Sequence, residues 1–236
     1  MSDRCIIVTG SIIPNVKIFE AETPQIRRKQ YLDVLSYYQK NFSEPIYFLE
    51  NSTYDFSNDD GFNRVFDSGI RLIKFPASDK IFEGKGYQEF QMIDQFVKSS
   101  SSDYSSFVKI TGRYKFHNIT DLVDIPCNGL VIDIYRRYQW AVTNVFCSTY
   151  DFYLKHLLNI YSEVNDSRGQ AIERRIYKKI SNDNLWEFVR IFLVSPVYTV
   201  PFSTRERFEN WRTVLNTATN IERKFINKFS LREIFI

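Results

Sequence analysis

The first half of the chain alternates short apolar runs with longer amphipathic stretches. The apolar runs predict four buried strands, at residues 5–11, 45–50, 70–75 and 107–111. Between them, apolar positions three to five residues apart predict helices over residues 25–41 and 86–98. Residues 53–68 are mostly polar, and Asp59-Asp60-Gly61 indicates a turn there. Since parallel strands need long, usually helical crossovers, this alternation predicts a mostly parallel, doubly wound α/β sheet over residues 4–112.

The second half of the chain shows two further strands and then helices. Residues 128–134 and 139–147 are predicted to form a hairpin through Arg136-Arg137. Helical patterns follow at residues 151–161, 167–180 and 204–227. Because no Pro- or Gly-rich linker divides the chain, we expect a single domain over residues 1–236 with a helical carboxyl-terminal part.

Composition and charge narrow the class of protein. Of the 236 residues, 44% are hydrophobic and 25% charged, which excludes extensive disorder, and the net charge of +3 is too small to indicate nucleic acid as a partner. No apolar run approaches the roughly 18 residues of a membrane-spanning helix, and the amino terminus lacks a signal-peptide pattern. Three widely spaced cysteines form no disulfide framework or zinc motif, so we expect a cytoplasmic protein.

Several common catalytic patterns are missing from the sequence. There is no GxSxG elbow, and only His117 and His156 could serve as the base of a Ser-His-Asp arrangement. Neither a GxxxxGK[ST] phosphate loop nor a GxGxxG dinucleotide motif occurs. The sequence also has no HExxH motif and no two aspartates two residues apart, so we predict no metal site.

Small and polar residues gather where three of the predicted strands end. These segments are Thr9-Gly10-Ser11, Glu50-Asn51-Ser52 and Thr111-Gly112-Arg113-Tyr114. In open α/β sheets, ligands bind outside the carboxyl ends of the strands, so the three segments together predict a binding site. The alternative is that they are ordinary turn residues, which strand ends need in any case.

Basic groups in the same region suit a phosphorylated ligand. Lys85 and Gly86 lie at a predicted helix start, where free N–H groups and the helix dipole favour anions. Lys109 lies on the fourth strand, a costly place for a charge unless it meets an anion or points outward, and Arg113 follows the strand. The two cations could neutralise a diphosphate. Alternatively, Lys109 faces solvent on an edge strand and Arg113 pairs with a carboxylate.

Several of these segments together resemble a known group of enzymes. The segments are Val8-Thr9-Gly10-Ser11, Leu49-Glu50-Asn51-Ser52, Lys85-Gly86-x-x-Glu89 and Phe107-x-Lys109-Ile110-Thr111-Gly112-Arg113-Tyr114. They are similar to segments of small glycosyltransferases from bacterial capsule and O-antigen gene clusters, which have a variant of the GT-A fold. The resemblance covers residues 5–118 and continues more weakly through Thr143–Phe146, Ile172-Glu173 and Ile176-Tyr177. Gln88 departs from it, because a small residue is expected there.

The resemblance implies transfer of a sugar from a nucleotide-diphosphate donor to a glycan or a lipid-linked acceptor in surface polysaccharide synthesis. Residues 1–118 would form the nucleotide-sugar-binding half and residues 119–236 the acceptor half. With no DxD motif, Lys109 and Arg113 would replace the metal ion at the leaving diphosphate, and no cofactor is expected. Donor-binding residues would be Thr9, Gly10, Ser11, Glu50, Asn51, Ser52, Lys85, Gly86, Lys109, Thr111, Gly112, Arg113 and Tyr114.

Glu89 and Glu173 are the candidates for the carboxylate base that an inverting transfer needs. Glu89 is favoured, because it lies one turn from the predicted phosphate-binding helix start. Two other classes stay open: a metal-dependent nucleotidyl- or phosphoryl-transfer enzyme, and a non-catalytic module that binds a nucleotide or glycan. Residues 203–236 are rich in basic and aromatic side chains. They predict either a peripheral contact with the inner face of the membrane, or packing on the α/β core or on a second subunit.

Overall fold

A computed structural model describes residues 3–15, 23–101, 103–192, 196, 198 and 199 of the chain. The strands are β1 (Arg4–Gly10), β2 (Ile46–Glu50), β3 (Arg71–Lys74), β4 (Ser106–Thr111), β5 (Lys115–Phe116), β6 (Leu130–Tyr135), β7 (Trp140–Thr149), β8 (Val189–Arg190) and β9 (Tyr198–Thr199). The helices are α1 (Pro24–Asn41), α2 (Asp60–Asp67), α3 (Lys85–Ser100), α4 (Ile119–Val123), α5 (Tyr150–Phe152), which continues into a π-helical turn at Tyr153–Leu157, and α6 (Ile172–Asn182). The predicted helix over residues 204–227 lies outside the described residues.

Seven of these strands form one mixed sheet in the order β3-β2-β1-β4-β7-β6-β8. The first four are parallel to one another, as the sequence predicts, whereas β7 runs antiparallel to both β4 and β6. The predicted hairpin between β6 and β7 is present, and its turn is a short 3-10 helix at Arg136–Tyr138. We call the edge at which β1 to β4 end the carboxyl edge.

Helices cover both faces of the sheet, which makes it doubly wound. Alternate residues of β1 point to opposite faces, so Ile7 packs with α3 and α6, and Val8 packs with α1 and α2. The predicted inward residues of α3, Phe90, Met92, Ile93 and Val97, are all buried. None of the helices in the described part of the chain is both long and apolar enough to cross a membrane.

The sequence-based prediction misses one helix in the first half. Residues 60–67, within the segment predicted as a polar turn, form α2. The Asp59 side chain caps the helix by accepting hydrogen bonds from the backbone N–H groups of Gly61 and Phe62, at 2.9 and 3.2 Å. Phe62 is fully buried, so this short helix is stabilised by its cap and by packing of one apolar face.

Candidate active site

The loops after β1 and β2 meet at the carboxyl edge around a buried carboxylate. Glu50 at the end of β2 is fully buried and accepts hydrogen bonds from the backbone N–H groups of Ile12 and Ser52, both at 3.0 Å. Lys74 at the end of β3 forms an ion pair with it at 2.7 Å. Asn51 is also buried. The structure therefore brings the predicted segments at residues 9–11 and 50–52 together, and Glu50 fixes the loops through its charge.

Helix α1 holds the β1 loop from the other side through two residues that the sequence analysis missed. Arg27 is 5% exposed, and its guanidinium donates to the backbone carbonyls of Ser11 and Ile12, at 3.1 and 3.2 Å from Nε. The Tyr31 hydroxyl accepts from the Ser11 backbone N–H at 3.0 Å. Arg27 precedes Tyr31 by one turn on the buried face of α1, and this position within an apolar stripe is the signal that could have identified it.

Two glycines let the β1 and β4 ends approach each other and α1. The Gly112 backbone N–H donates to the Thr9 carbonyl at 2.8 Å, and a Cβ at Gly112 would lie 2.3 Å from that oxygen. A Cβ at Gly10 would lie 2.5 Å from the Phe48 ring. Both positions therefore require glycine for close packing.

A buried ion pair joins β4 to α3 next to this loop. Lys109 is fully buried, and its Nζ lies 2.7 Å from Glu89 Oε1. The same ammonium donates to Thr111 Oγ1 and to the backbone carbonyl of Thr143, both at 2.7 Å. An ammonium has three N–H donors, so all three are used within the protein. A direct contact between Lys109 and a diphosphate would have to displace one of these partners.

The position of Lys109 corrects one of the sequence-based alternatives. Strand β4 lies in the middle of the sheet between β1 and β7, so Lys109 does not face solvent on an edge strand. Burial lowers the pKa of Lys109, and the charges of Glu89 and Glu173 oppose that shift. The charge on β4 meets an anion, as a buried cation requires.

Glu89 is the centre of the polar contacts on this face. Its Oε1 accepts from the hydroxyls of Thr9 and Thr111, the second at 3.3 Å, in addition to the ion pair with Lys109. About a fifth of its side chain is exposed (21%), so the carboxylate lies at the boundary between the buried cluster and solvent. Lys109 and two hydroxyls therefore share one carboxylate oxygen and hold the Glu89 side chain in place.

The second candidate base joins the same cluster through β7. The Thr143 hydroxyl donates to Glu173 Oε1 at 3.1 Å, while the Thr143 carbonyl accepts from Lys109. Burial raises the pKa of Glu173, and the negative charge of Glu89 adds to the rise, while the hydrogen bond from Thr143 and the charge of Lys109 oppose it. We call Thr9, Glu89, Lys109, Thr111, Thr143 and Glu173 the Lys109 cluster. Both candidate bases therefore lie in one network, on opposite sides of a single lysine.

The predicted helix start at residues 85 and 86 exists, but another group occupies it. Helix α3 begins at Lys85, and its backbone N–H donates to Asp166 Oδ2 at 3.0 Å. Gly86 lies against Ile172 of α6, where a Cβ would come within 2.9 Å of that side chain. The Asp166 carboxylate, from a later segment of the same chain, thus accepts the hydrogen bond from Lys85 that the prediction assigned to a phosphate.

Arg113 and Tyr114 point to the α1 side of the sheet, away from the Lys109 cluster. Arg113 Nη1 lies 3.4 Å from the Gln30 side-chain oxygen on α1. The Tyr114 carbonyl accepts from the Tyr38 hydroxyl of the same helix, and the Tyr114 ring contacts Tyr198 with centroids 5.1 Å apart. The structure therefore does not bring Arg113 and Lys109 together, because they face different helices.

Two further observations concern metal ions and the amino-terminal end of α3. Over the described ranges, no three His, Cys, Asp or Glu side chains form a group that could hold a metal ion. Gln88, the departure from the glycosyltransferase pattern, is buried, and its Nε2 has no hydrogen-bond partner in the part of the chain that the structure describes.

Comparisons with known proteins find similarity in structure only. No protein-family model matches the chain, and no curated protein sequence matches it. A protein described as a nucleotide-diphospho-sugar transferase from Desulfovibrio desulfuricans G20 superposes with a TM-score of 0.50 at 11% identity, over 81% of this chain and 80% of its own. An active-site mutant of LgtC gives 0.50 at 10% identity, over 79% and 72%. The glycosyltransferase GlyE of Streptococcus pneumoniae TIGR4 gives 0.50 at 13% identity, over 81% and 45%.

These neighbours establish the fold. Each has a low sequence identity, so the likeness concerns the arrangement of strands and helices and not the chemistry of individual residues. The expected fold class is confirmed: the chain has a mixed α/β fold of the GT-A type, with a mostly parallel central sheet.

Proposed function

We propose that this protein is a glycosyltransferase that uses a nucleotide-diphosphate sugar as donor. The observation that carries the proposal is the Lys109 cluster, which places two carboxylates at the carboxyl edge of a GT-A-type sheet. In open α/β sheets this edge is where ligands bind. Two carboxylates in one network, one ion-paired and one with a raised pKa, are typical of acid-base chemistry.

Glu173 is the better of the two candidate bases. In a single-displacement transfer, the acceptor hydroxyl oxygen bonds to the anomeric carbon as the bond to the diphosphate breaks. The bonding electrons leave with the diphosphate, and a carboxylate takes the hydroxyl proton. A base works best when its pKa is near the operating pH. Burial raises the pKa of Glu173, whereas the Glu89 carboxylate is already engaged by Lys109 and two hydroxyls.

Glu89 and Lys109 then serve as positioning residues. Lys109 fixes the backbone at Thr143, and the Thr143 hydroxyl fixes Glu173, so the ion pair determines where the base points. In this scheme Glu89 neutralises a lysine that would otherwise be buried alone. The role of Lys109 and Arg113 in place of a metal ion at the diphosphate stays a prediction.

The proposal is tested by donor hydrolysis with a panel of nucleotide sugars, with and without EDTA. We expect release of a nucleoside diphosphate from at least one donor, unaffected by the chelator. Strict magnesium dependence with nucleoside triphosphates would favour a nucleotidyl- or phosphoryl-transfer enzyme instead. Binding of a nucleotide or glycan without turnover would favour a non-catalytic module.

The acceptor is proposed from the sequence resemblance. We propose a glycan or lipid-linked acceptor of surface polysaccharide synthesis, such as capsule or O-antigen. An acceptor on a lipid would make a peripheral membrane contact useful, and residues 203–236, which carry that prediction, lie outside the described residues. Flotation of the full chain with anionic vesicles, weakened by salt, is the expected result for such a contact.

A further inference from the structure

On the α1 side of the sheet, an open cleft follows directly on the end of β4. Its volume is about 430 Å³, and Lys40, Arg113 and Lys115 line it together with Gln30 and Tyr37. Small-molecule sites commonly have volumes of about 300–1,000 Å³, so the cleft can hold a phosphate group together with a sugar. We call it the Arg113 cleft.

Positive charge dominates the lining of the cleft. Among the described residues of the lining are three cations and one carboxylate, Asp33, which is exposed. Lys115 lies over the Tyr37 ring, with Nζ 4.5 Å from the ring centroid, so an aromatic face and not a carboxylate orients it. Within the described ranges, neither Lys40 nor Lys115 forms an ion pair.

The cations come from two elements that the fold fixes against each other. Lys40 lies on α1, and Arg113 and Lys115 flank the turn from β4 into β5. The Tyr37 hydroxyl donates to the Phe116 carbonyl at 3.0 Å, and the Tyr38 hydroxyl donates to the Tyr114 carbonyl. These contacts hold the lining in place, and a bound anion would complement the charges of Lys40 and Lys115, which form no ion pair within the described ranges.

We infer that the Arg113 cleft binds a phosphate-bearing group, with Arg113, Lys40 and Lys115 as its cationic contacts. The planar guanidinium of Arg113 offers paired N–H donors to phosphate oxygens, and the two ammonium groups add charge. The phosphate could come from the donor diphosphate or from a phosphorylated acceptor, and that part of the inference rests on the proposed function.

Calorimetric titration of the full chain at low ionic strength tests the inference. The probes are inorganic pyrophosphate, glucose 1-phosphate and uridine diphosphate, each titrated into the wild type and into the double variant Lys40→Gln/Lys115→Gln. The matched control is Lys29→Gln, an exposed lysine on the same helix that does not line the cleft. We expect at least one probe to bind, with an affinity that is roughly tenfold weaker in the double variant and unchanged in the control.

The choice among probes separates the two sources of phosphate. If the double variant loses affinity only for uridine diphosphate, the cleft binds the donor. If it loses affinity for glucose 1-phosphate, the cleft binds a phosphorylated acceptor. Either result supports the inference. Failure of all three probes to bind the wild type, or equal affinity in the double variant and the wild type, would overturn it. Since binding is measured without sugar transfer, this result is independent of whether the protein proves to be a glycosyltransferase.

Discussion

The two sides of the sheet hold their positive charges in different surroundings. On the side covered by α3 and α6, Lys109 is fully buried and all its N–H donors are used by protein groups. On the α1 side, Lys40, Arg113 and Lys115 line an open cleft, and Asp33 is the carboxylate among its described lining residues. A lysine whose charge is matched internally organises other side chains, whereas Lys40 and Lys115, which form no ion pair within the described ranges, can meet the charge of a ligand. We therefore assign the positioning of the candidate base to the side covered by α3 and α6, and anion binding to the α1 side.

Breaking the buried pair is expected to have the largest effect on stability. Glu89→Leu leaves Lys109 buried without its carboxylate, which should lower the free energy of unfolding by about 3–5 kcal/mol. The double variant Glu89→Leu/Lys109→Met should recover much of this loss, because it removes both charges. Chemical denaturation of the single and double variants measures the difference.

The exposed ion pair on α6 provides the control for that experiment. Lys179 and Asp183 lie 2.7 Å apart, with about two fifths of each side chain exposed (40% and 39%). Lys179→Met should therefore cost less than about 1 kcal/mol. A double variant as unstable as Glu89→Leu, or equal costs for the buried and exposed pairs, would contradict the role given to the buried pair.

Another carboxylate on α3, Asp94, is buried and should make stability depend on pH, and the charge of Lys98 only partly opposes the rise in its pKa. Burial raises the pKa of Asp94 to about 6 from 3.8, although Tyr153 and the Asn159 backbone N–H donate to it at 2.7 and 2.6 Å. Asp94 therefore contributes fully to the free energy of unfolding below the pKa that it has in the unfolded chain. This contribution is lost as the pH rises through its pKa in the folded protein. The stability of the wild type relative to Asp94→Asn should fall by about 2–3 kcal/mol between about pH 4 and pH 7. A difference that does not change with pH would contradict this.

The close approach of β1 and β4 is expected to have an intermediate effect. Gly112→Ala places a methyl group against the Thr9 carbonyl, a backbone atom that cannot move aside easily, and should cost about 1–3 kcal/mol. Gly61→Ala is the control, because the atoms nearest its Cβ belong to side chains and not to the backbone, and the position is helical. Thermal unfolding of both variants measures the effect, and equal melting temperatures would show that the loops have room to separate.

The remaining effect is on activity and not on stability, and it concerns Arg113 on the open side. Arg113→Ala should lower sugar transfer at least about tenfold, because a charge-assisted contact with phosphate is worth roughly 1.5–3 kcal/mol. The fold should be unchanged, since Arg113 lies at the surface of the cleft and contacts Gln30 at 3.4 Å. Arg64→Ala, an exposed arginine on α2, is the control. Unchanged transfer by folded Arg113→Ala protein would remove this residue from the site.

The sequence predicts the sheet better than it predicts the site. Buried strands and the inward residues of α3 follow from local periodicity, which is a property of neighbouring residues. Helix α2 was missed because its short apolar face follows a strong turn signal at Asp59-Asp60-Gly61. The sequence indicates that a charge at Lys109, on a buried strand, is costly. It does not indicate which carboxylate pairs with Lys109, because the contact with Glu89 depends on how α3 packs on the sheet.

The contacts that later segments of the chain make with the site could not be predicted from local sequence patterns. Thr143 reaches Lys109 from β7, and Asp166 reaches the start of α3 from a loop 81 residues further along the chain. Such pairings are fixed by the antiparallel addition of β7 and by the packing of α6, neither of which leaves a signal in the residues near Lys109 or Lys85.

The most direct test of Glu173 as the catalytic base is the turnover of Glu173→Gln at saturating donor. The substitution preserves the shape of the side chain and an oxygen that can accept from Thr143, and removes only the ability to take a proton. If Glu173 is the base, we expect kcat to fall by about 10²–10⁴-fold while donor affinity is retained. Wild-type turnover by folded Glu173→Gln protein, or the predicted loss appearing in Glu89→Gln instead, would contradict the assignment of Glu173 as the base.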